Sequence, residues 1–125
     1  MIHHVSVGTN DIAKGRAFYD AVLPILGMAL MKADDTAGHY GSGHLVISVQ
    51  RPIDGAPATV GNGSHIAFDA EDRAMVDAFY AAAMANGGSS DGAPGIRAEY
   101  DDHYYGAFVR DPDGNKIEAL TFASK

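Results

Sequence analysis

The chain has 125 residues, the size of one domain, and its 46% hydrophobic and 20% charged residues are the balance of a globular protein. A formal net charge of −7 with only 9 Lys plus Arg excludes nucleic acid as an expected partner, because phosphate-backbone binding needs clustered basic residues. The absence of cysteine excludes disulfides, thiolate metal sites and a cysteine nucleophile.

The N-terminal stretch "MIHHVSVGTND" lacks the basic and long apolar regions of a signal peptide, and no stretch approaches a membrane span. A cytoplasmic location with no membrane partner is expected. Val5 and Val7 alternate with small or polar residues, the period of a half-buried strand. Asn10 and Asp11 are suited to cap a helix, and Phe18, Val22 and Ile25 recur at helical spacing before a helix-ending Gly27. Short strands are then expected over about 29–32, 38–41 and 45–50. A Gly- and Pro-containing stretch over about residues 51–63 reads as a linker. His39 and His44 flank the turn before the third of these strands and are expected at the surface.

Beyond the linker the same order returns. Ile66 and Phe68 alternate, Glu71 and Asp72 precede a helical pattern of Val76, Phe79, Tyr80 and Ala83, and Gly88 ends it. Strands are expected over about 88–90, 104–110 and 116–122, with "GGSSDGAPGIRAEYDDH" as a loop-forming insertion. Placing His4 over His65, an offset of 61 residues, aligns Asp11 with Asp72, Phe18 with Phe79, Tyr19 with Tyr80 and Gly27 with Gly88 without a gap. The chain is therefore an internal repeat: one α+β domain over residues 1–125, made of two tandem βαβββ modules, the first over about 1–50 and the second over about 64–125.

Strand alternation gives the polar residues a common side. With Val5, Val7, Ile66, Phe68, Ile117 and Ala119 facing the helices, His4, His65 and Glu118 point the other way. Two imidazoles and a carboxylate are a ligand set for one divalent cation (Fe, Mn, Ni or Zn), and they leave coordination positions open. Such an ion would compensate a carboxylate lodged between apolar neighbours.

The stretches "HHVSVGTNDIAKGRAFYDAVLPILGM", "GSHIAFDAEDRAMVDAFYAAAMANGG" and "YYGAFVRDPDGNKIEAL" together resemble the vicinal oxygen chelate superfamily of glyoxalase I, bleomycin and fosfomycin resistance proteins and extradiol dioxygenases. The resemblance implies paired, curved mixed sheets forming a metal-lined cleft, metal positions at His4, His65 and Glu118, and a cleft often completed in a homodimer. It implies a metal-dependent enzyme acting on a small oxygen-rich substrate by lyase, isomerase, transferase or dioxygenase chemistry. The alternative is a metal-free binding protein of the bleomycin-resistance kind. Aligning the turns "GSG" and "PDG" puts Ile47 where glyoxalase I carries a second glutamate, so the two-glutamate mechanism is not expected. His103 and Tyr105 are candidate catalytic residues for acid/base work, and Arg97 and Tyr104 candidate substrate contacts.

Overall fold

The computed structural model describes residues 1–124; the expected end of the second module, Lys125, lies outside the described residues. The first module is β1 (Val5–Gly8), α1 (Ile12–Val22), a single 3₁₀ turn (Pro24–Leu26), β2 (Ala29–Ala33), β3 (Ala37–Gly41) and β4 (Leu45–Gln50). The second is β5 (Ile66–Asp69), α2 (Arg73–Ala85), β6 (Ser89–Ile96), β7 (Tyr105–Arg110) and β8 (Lys116–Thr121). Each module forms its own four-stranded mixed sheet, ordered β1-β4-β3-β2 and β5-β8-β7-β6, with a parallel pair at one edge. No helix among the described residues is long and apolar enough to cross a membrane.

Local sequence explains the helix boundaries. The Asp11 carboxylate accepts from Lys14 N at 3.1 Å and Asp72 from Met75 N at 2.8 Å, each satisfying an orphan amide of the first turn. Gly27 ends the first helical region at φ 87°, and in the second module the left-handed residue is Gly87 at φ 91°, one position before the aligned Gly88. Gly88 is required for another reason. A Cβ there would lie 2.7 Å from the Phe18 ring, where the two modules pack.

Two expectations are corrected by the structure. β6 extends over eight residues where a short strand and a loop were expected. Its register against β7 shifts between Ser90 and Gly92 and again between Gly92 and Gly95. These irregularities let an edge strand carry Gly and Pro94, residues that a central strand would not tolerate. The second correction concerns the last strands. Val5 and Ser6 of β1 stand opposite Ile47 and Ser48, while Ile66 and Ala67 of β5 stand opposite Ile117 and Glu118. Ser48, not Ile47, is therefore the counterpart of Glu118. Ile47 is buried in the core.

One apolar core serves both modules. Phe18, Tyr19, Val22 and Leu23 meet Phe79, Ala83, Val109 and Ile117, with α1 packed on α2. A polar latch crosses the same boundary. Tyr19 of α1 donates its hydroxyl to Asp111 Oδ2 at 2.6 Å, and Asp111 also accepts from the amides of Asp113 and Asn115 and from Asn115 Nδ2, each at 2.9 Å. Asn115 Nδ2 reaches on to the Gly8 carbonyl at 2.9 Å. The β7–β8 turn is thereby tied to α1 and to the end of β1.

Burial, and then the neighbouring Asp111, raises the Tyr19 pKa well above 10.0. The unfolded chain releases that proton at lower pH, so its contribution is intact below pH 10.0 and is lost as pH climbs toward the folded value. Tyr19→Phe is expected to lower stability at neutral pH by about 1–3 kcal/mol in urea unfolding and to flatten the alkaline loss. An unchanged midpoint would show that the latch contributes nothing.

Candidate functional site

Glu118 lies in the middle of β8 with Ile117 and Ala119 fully buried on the helix side, so the strand's alternation turns its carboxylate to the opposite face. It is nevertheless only 1% exposed. His65, just before β5, places Nε2 3.2 Å from Glu118 Oε1, and the Tyr104 hydroxyl, just before β7, donates to Oε2. The side chain of His65 remains 44% exposed. Gly106 makes this crowding possible, because a Cβ there would lie 3.1 Å from the Tyr104 ring and 3.2 Å from Glu118 Oε2. Burial, then the hydrogen bond to Glu118, raises the pKa of Tyr104. Its hydroxyl therefore stays a proton donor across the physiological range.

These groups open on a pocket of about 370 Å³ lined by His65, Tyr100, Tyr104, Phe108, Lys116 and Glu118. Tyr104 packs edge-on against Tyr100 and Phe122, with ring centroids 5.0 and 5.4 Å away. Phe108 stands opposite Glu118 on β7, and two cations approach its ring: Lys116 Nζ at 5.1 Å and the Arg97 guanidinium carbon at 5.4 Å. Lys116 also pairs with Asp91 at 3.3 Å. The site thus offers a carboxylate, an exposed imidazole, a phenol and two cations around an aromatic floor.

Of the residues picked out in the sequence, His65, Glu118, Tyr104 and Arg97 come together here. His4 does not join them. It is exposed, with Nδ1 2.8 Å from Nδ1 of His3, whose ring lies 5.0 Å from that of His44. Among the described residues no group of three His, Asp or Glu side chains converges to hold one ion. The modules touch at Gly8, and the extended chain back to His4 carries it roughly 13 Å from that contact. A cavity of about 330 Å³, lined on one side by Val5 and Val7 and on the other by His65 and Ile66, lies between the β1 and β5 edges.

The two catalytic candidates also lie apart from the pocket. Tyr105 follows the parity of Ala107 and Val109, which face the helices, and donates its hydroxyl to Asp77 of α2 at 2.6 Å while Arg73 covers its ring. His103 is exposed in the turn before β7, its amide bound to Asp101. Phe108 is not among the expected site residues, although two-residue steps along β7 from Tyr104 set it on the same face, and the register of β7 on β8 brings it beside Glu118. His39, expected at the surface, is half-buried with Nδ1 2.7 Å from Ser48 Oγ.

The fold and this donor set define a two-module protein of the mixed-sheet βαβββ class, with ligand-type side chains on the sheet face away from the helices. The chain belongs to the Glyoxalase/Bleomycin resistance protein/Dioxygenase superfamily, whose profile matches residues 1–119. It is 45% identical to a glyoxalase/bleomycin resistance protein from Albidiferax ferrireducens T118, covering 96% of this chain and 97% of that one with a TM-score of 0.87. At 20% identity it shares its fold with a glyoxalase/bleomycin resistance protein/dioxygenase family enzyme from Burkholderia phytofirmans PsJN, covering 97% and 98% of the two chains with a TM-score of 0.74. The lactoylglutathione lyase from Agrobacterium tumefaciens is likewise 20% identical, covering 96% and 92% with a TM-score of 0.65. No curated protein matches the chain.

If Tyr104 compensates Glu118 as described, Tyr104→Phe lowers stability by about 1.5–3 kcal/mol, the range for a hydrogen bond to a charged group. In a Glu118→Met background the same change is expected to cost far less. Urea unfolding of the four proteins measures the coupling, and equal costs in both backgrounds would contradict it.

Proposed function

We propose that the chain is a divalent-metal-dependent enzyme acting on a small oxygen-rich substrate through neighbouring oxygens, and that a second copy of the chain completes its site. The carrying observation is the buried Glu118 with His65 at 3.2 Å, while His4, the third donor of the set, stands elsewhere. His65 and Glu118 of one protomer, with His4 of the partner subunit, would hold Fe, Mn, Ni or Zn. The edge strands β1 and β5 support this homodimer. Each ends its own sheet, and pairing β1 of one protomer with β5 of its partner would close two open edges at once.

The donor chemistry fits an ion: a carboxylate, an imidazole with its ring partly open to solvent, and a cavity beside them. When bound, the ion would act as a Lewis acid on two adjacent substrate oxygens. Tyr104 would then hold a proton at Glu118 Oε2 and orient the carboxylate. Arg97 and Lys116, beside the Phe108 ring, would receive an anionic group of the substrate over an apolar floor. Two relatives of the same fold, described as a glyoxalase/bleomycin resistance protein/dioxygenase family enzyme and a lactoylglutathione lyase, lend support to dioxygenase or lyase chemistry; isomerase or transferase chemistry and a cytoplasmic setting belong to the same proposal without that support.

A metal-free binding protein is the second reading, favoured by one observation. His65 and Tyr104 together already surround the Glu118 carboxylate.

Mixing separates these readings. His4→Ala and Glu118→Ala proteins should each purify without metal, and co-expression should restore metal to about one site in four, because statistically mixed dimers regain one intact site in half the molecules. No restoration would place the three donors within a single chain or remove the shared site. Failure of the unmutated protein to take up any of the four metals would favour the binding protein.

A further inference from the structure

The strand register points to a second functional pair on the first module. Ser48 stands opposite Ser6 as Glu118 stands opposite Ala67, and His39 stands opposite Ser48 as Phe108 stands opposite Glu118. His39 and Ser48 therefore hold, in module one, the places taken in module two by the floor of the candidate site. Ser6, Ser48, His39 and Lys32 form one row across four strands, on the face that His4 shares by alternation. The row is open at its two ends, where Ser6 and Lys32 are exposed, but not in its middle. Ser48 is only 2% exposed and its Oγ lies 2.7 Å from His39 Nδ1. With Nδ1 engaged, His39 has Nε2 left for a ligand.

We propose that His39, positioned by Ser48, is the proton-transfer residue of the assembled site, contacting substrate from the module that contributes His4. The proposal rests on the exchanged-site reading above. Neighbouring strands lie about 4.8 Å apart, so His39 sits roughly 10 Å across the sheet from β1. That is too far for a ligand on the ion held by His4, and suits a group reaching a substrate bound there. In the step assigned to it, a substrate O–H bond breaks, the proton passes to His39 Nε2, and the electron pair stays on the substrate oxygen. Ser48 Oγ keeps the ring in place and acts as the positioning residue.

Acetohydroxamic acid is a suitable probe, because it offers two adjacent oxygens and loses one proton when it chelates an ion. Zinc-loaded protein is titrated with it calorimetrically in two buffers of different ionisation enthalpy at mildly alkaline pH, and the histidine ring nitrogens are followed by NMR. In the unmutated protein the proton moves to His39, so net release to buffer is near zero and the His39 ring signals change to those of imidazolium. His39→Leu should keep its zinc, release about one proton per probe bound, and bind about tenfold more weakly for loss of one contact. Ser48→Ala should leave zinc content unchanged and broaden or shift the His39 signals, with Ser48→Thr restoring them. Unchanged proton release and unmoved ring signals would overturn the proposal and leave the pair a sheet contact. Should His39→Leu not fold, the Ser48 variants and the ring signals of the unmutated protein decide. A protein that binds no zinc would show that the shared metal site itself is wrong, and this proposal would fall with it.

Discussion

The hydrogen bond from Tyr19 to Asp111 is the constraint on which the site depends. It joins α1 of the first module to the turn that starts β8, and Asp111 holds that turn through the amides of Asp113 and Asn115. A strand's faces alternate with every residue, so a one-residue slip of β8 would send Glu118 into the core and Ile117 to the open face. The buried Ile117 and Ala119 oppose that slip through the hydrophobic effect, and the turn latch opposes it through geometry. The placement of one carboxylate thus rests on a contact between two modules.

That placement sets the electrostatic problem the site must solve. A carboxylate at 1% exposure needs partners. One side of Glu118 is met by Tyr104 and the other by His65, a histidine still facing solvent. Such a half-open arrangement would suit the proposed divalent ion, and two features bear on where its remaining donor would come from. Among the described residues β1 and β5 each end a sheet with one edge unpaired, and His4 immediately precedes β1, away from the other donors. Assembly and chemistry are linked in this account, since closing the edges is the act that would gather the donors.

Much of this was legible in the sequence because the repeat is legible. Aligned His4 and His65, the Phe-Tyr pairs and the capping aspartates required two strand–helix–strand modules, and alternation set Glu118 on the face of the histidines. The failures have physical causes. The length difference between the two final hairpins moved an alignment based on turns by one residue, which hid Ser48 behind Ile47. Gly and Pro in "SSDGAPGI" read as a loop because their strand is an irregular edge, where bulges absorb them. Tyr105, like its neighbours His103 and Tyr104, is a candidate by side-chain chemistry alone, whereas parity with Ala107 and Val109 directs it to α2. His39 looked superficial beside a glycine-rich turn, and only the register of β3 on β4 reveals its partner.

The central claim is that the metal site exists only between two copies of the chain. Native mass spectrometry of protein loaded with a stoichiometric divalent ion tests it most directly, because mass reports protomer number and bound metal in the same particle. The account predicts dimers carrying two ions and monomers carrying none, with metal lost as dilution drives dissociation. Monomers that retain one ion would contradict it and place His4, His65 and Glu118 together within a single chain.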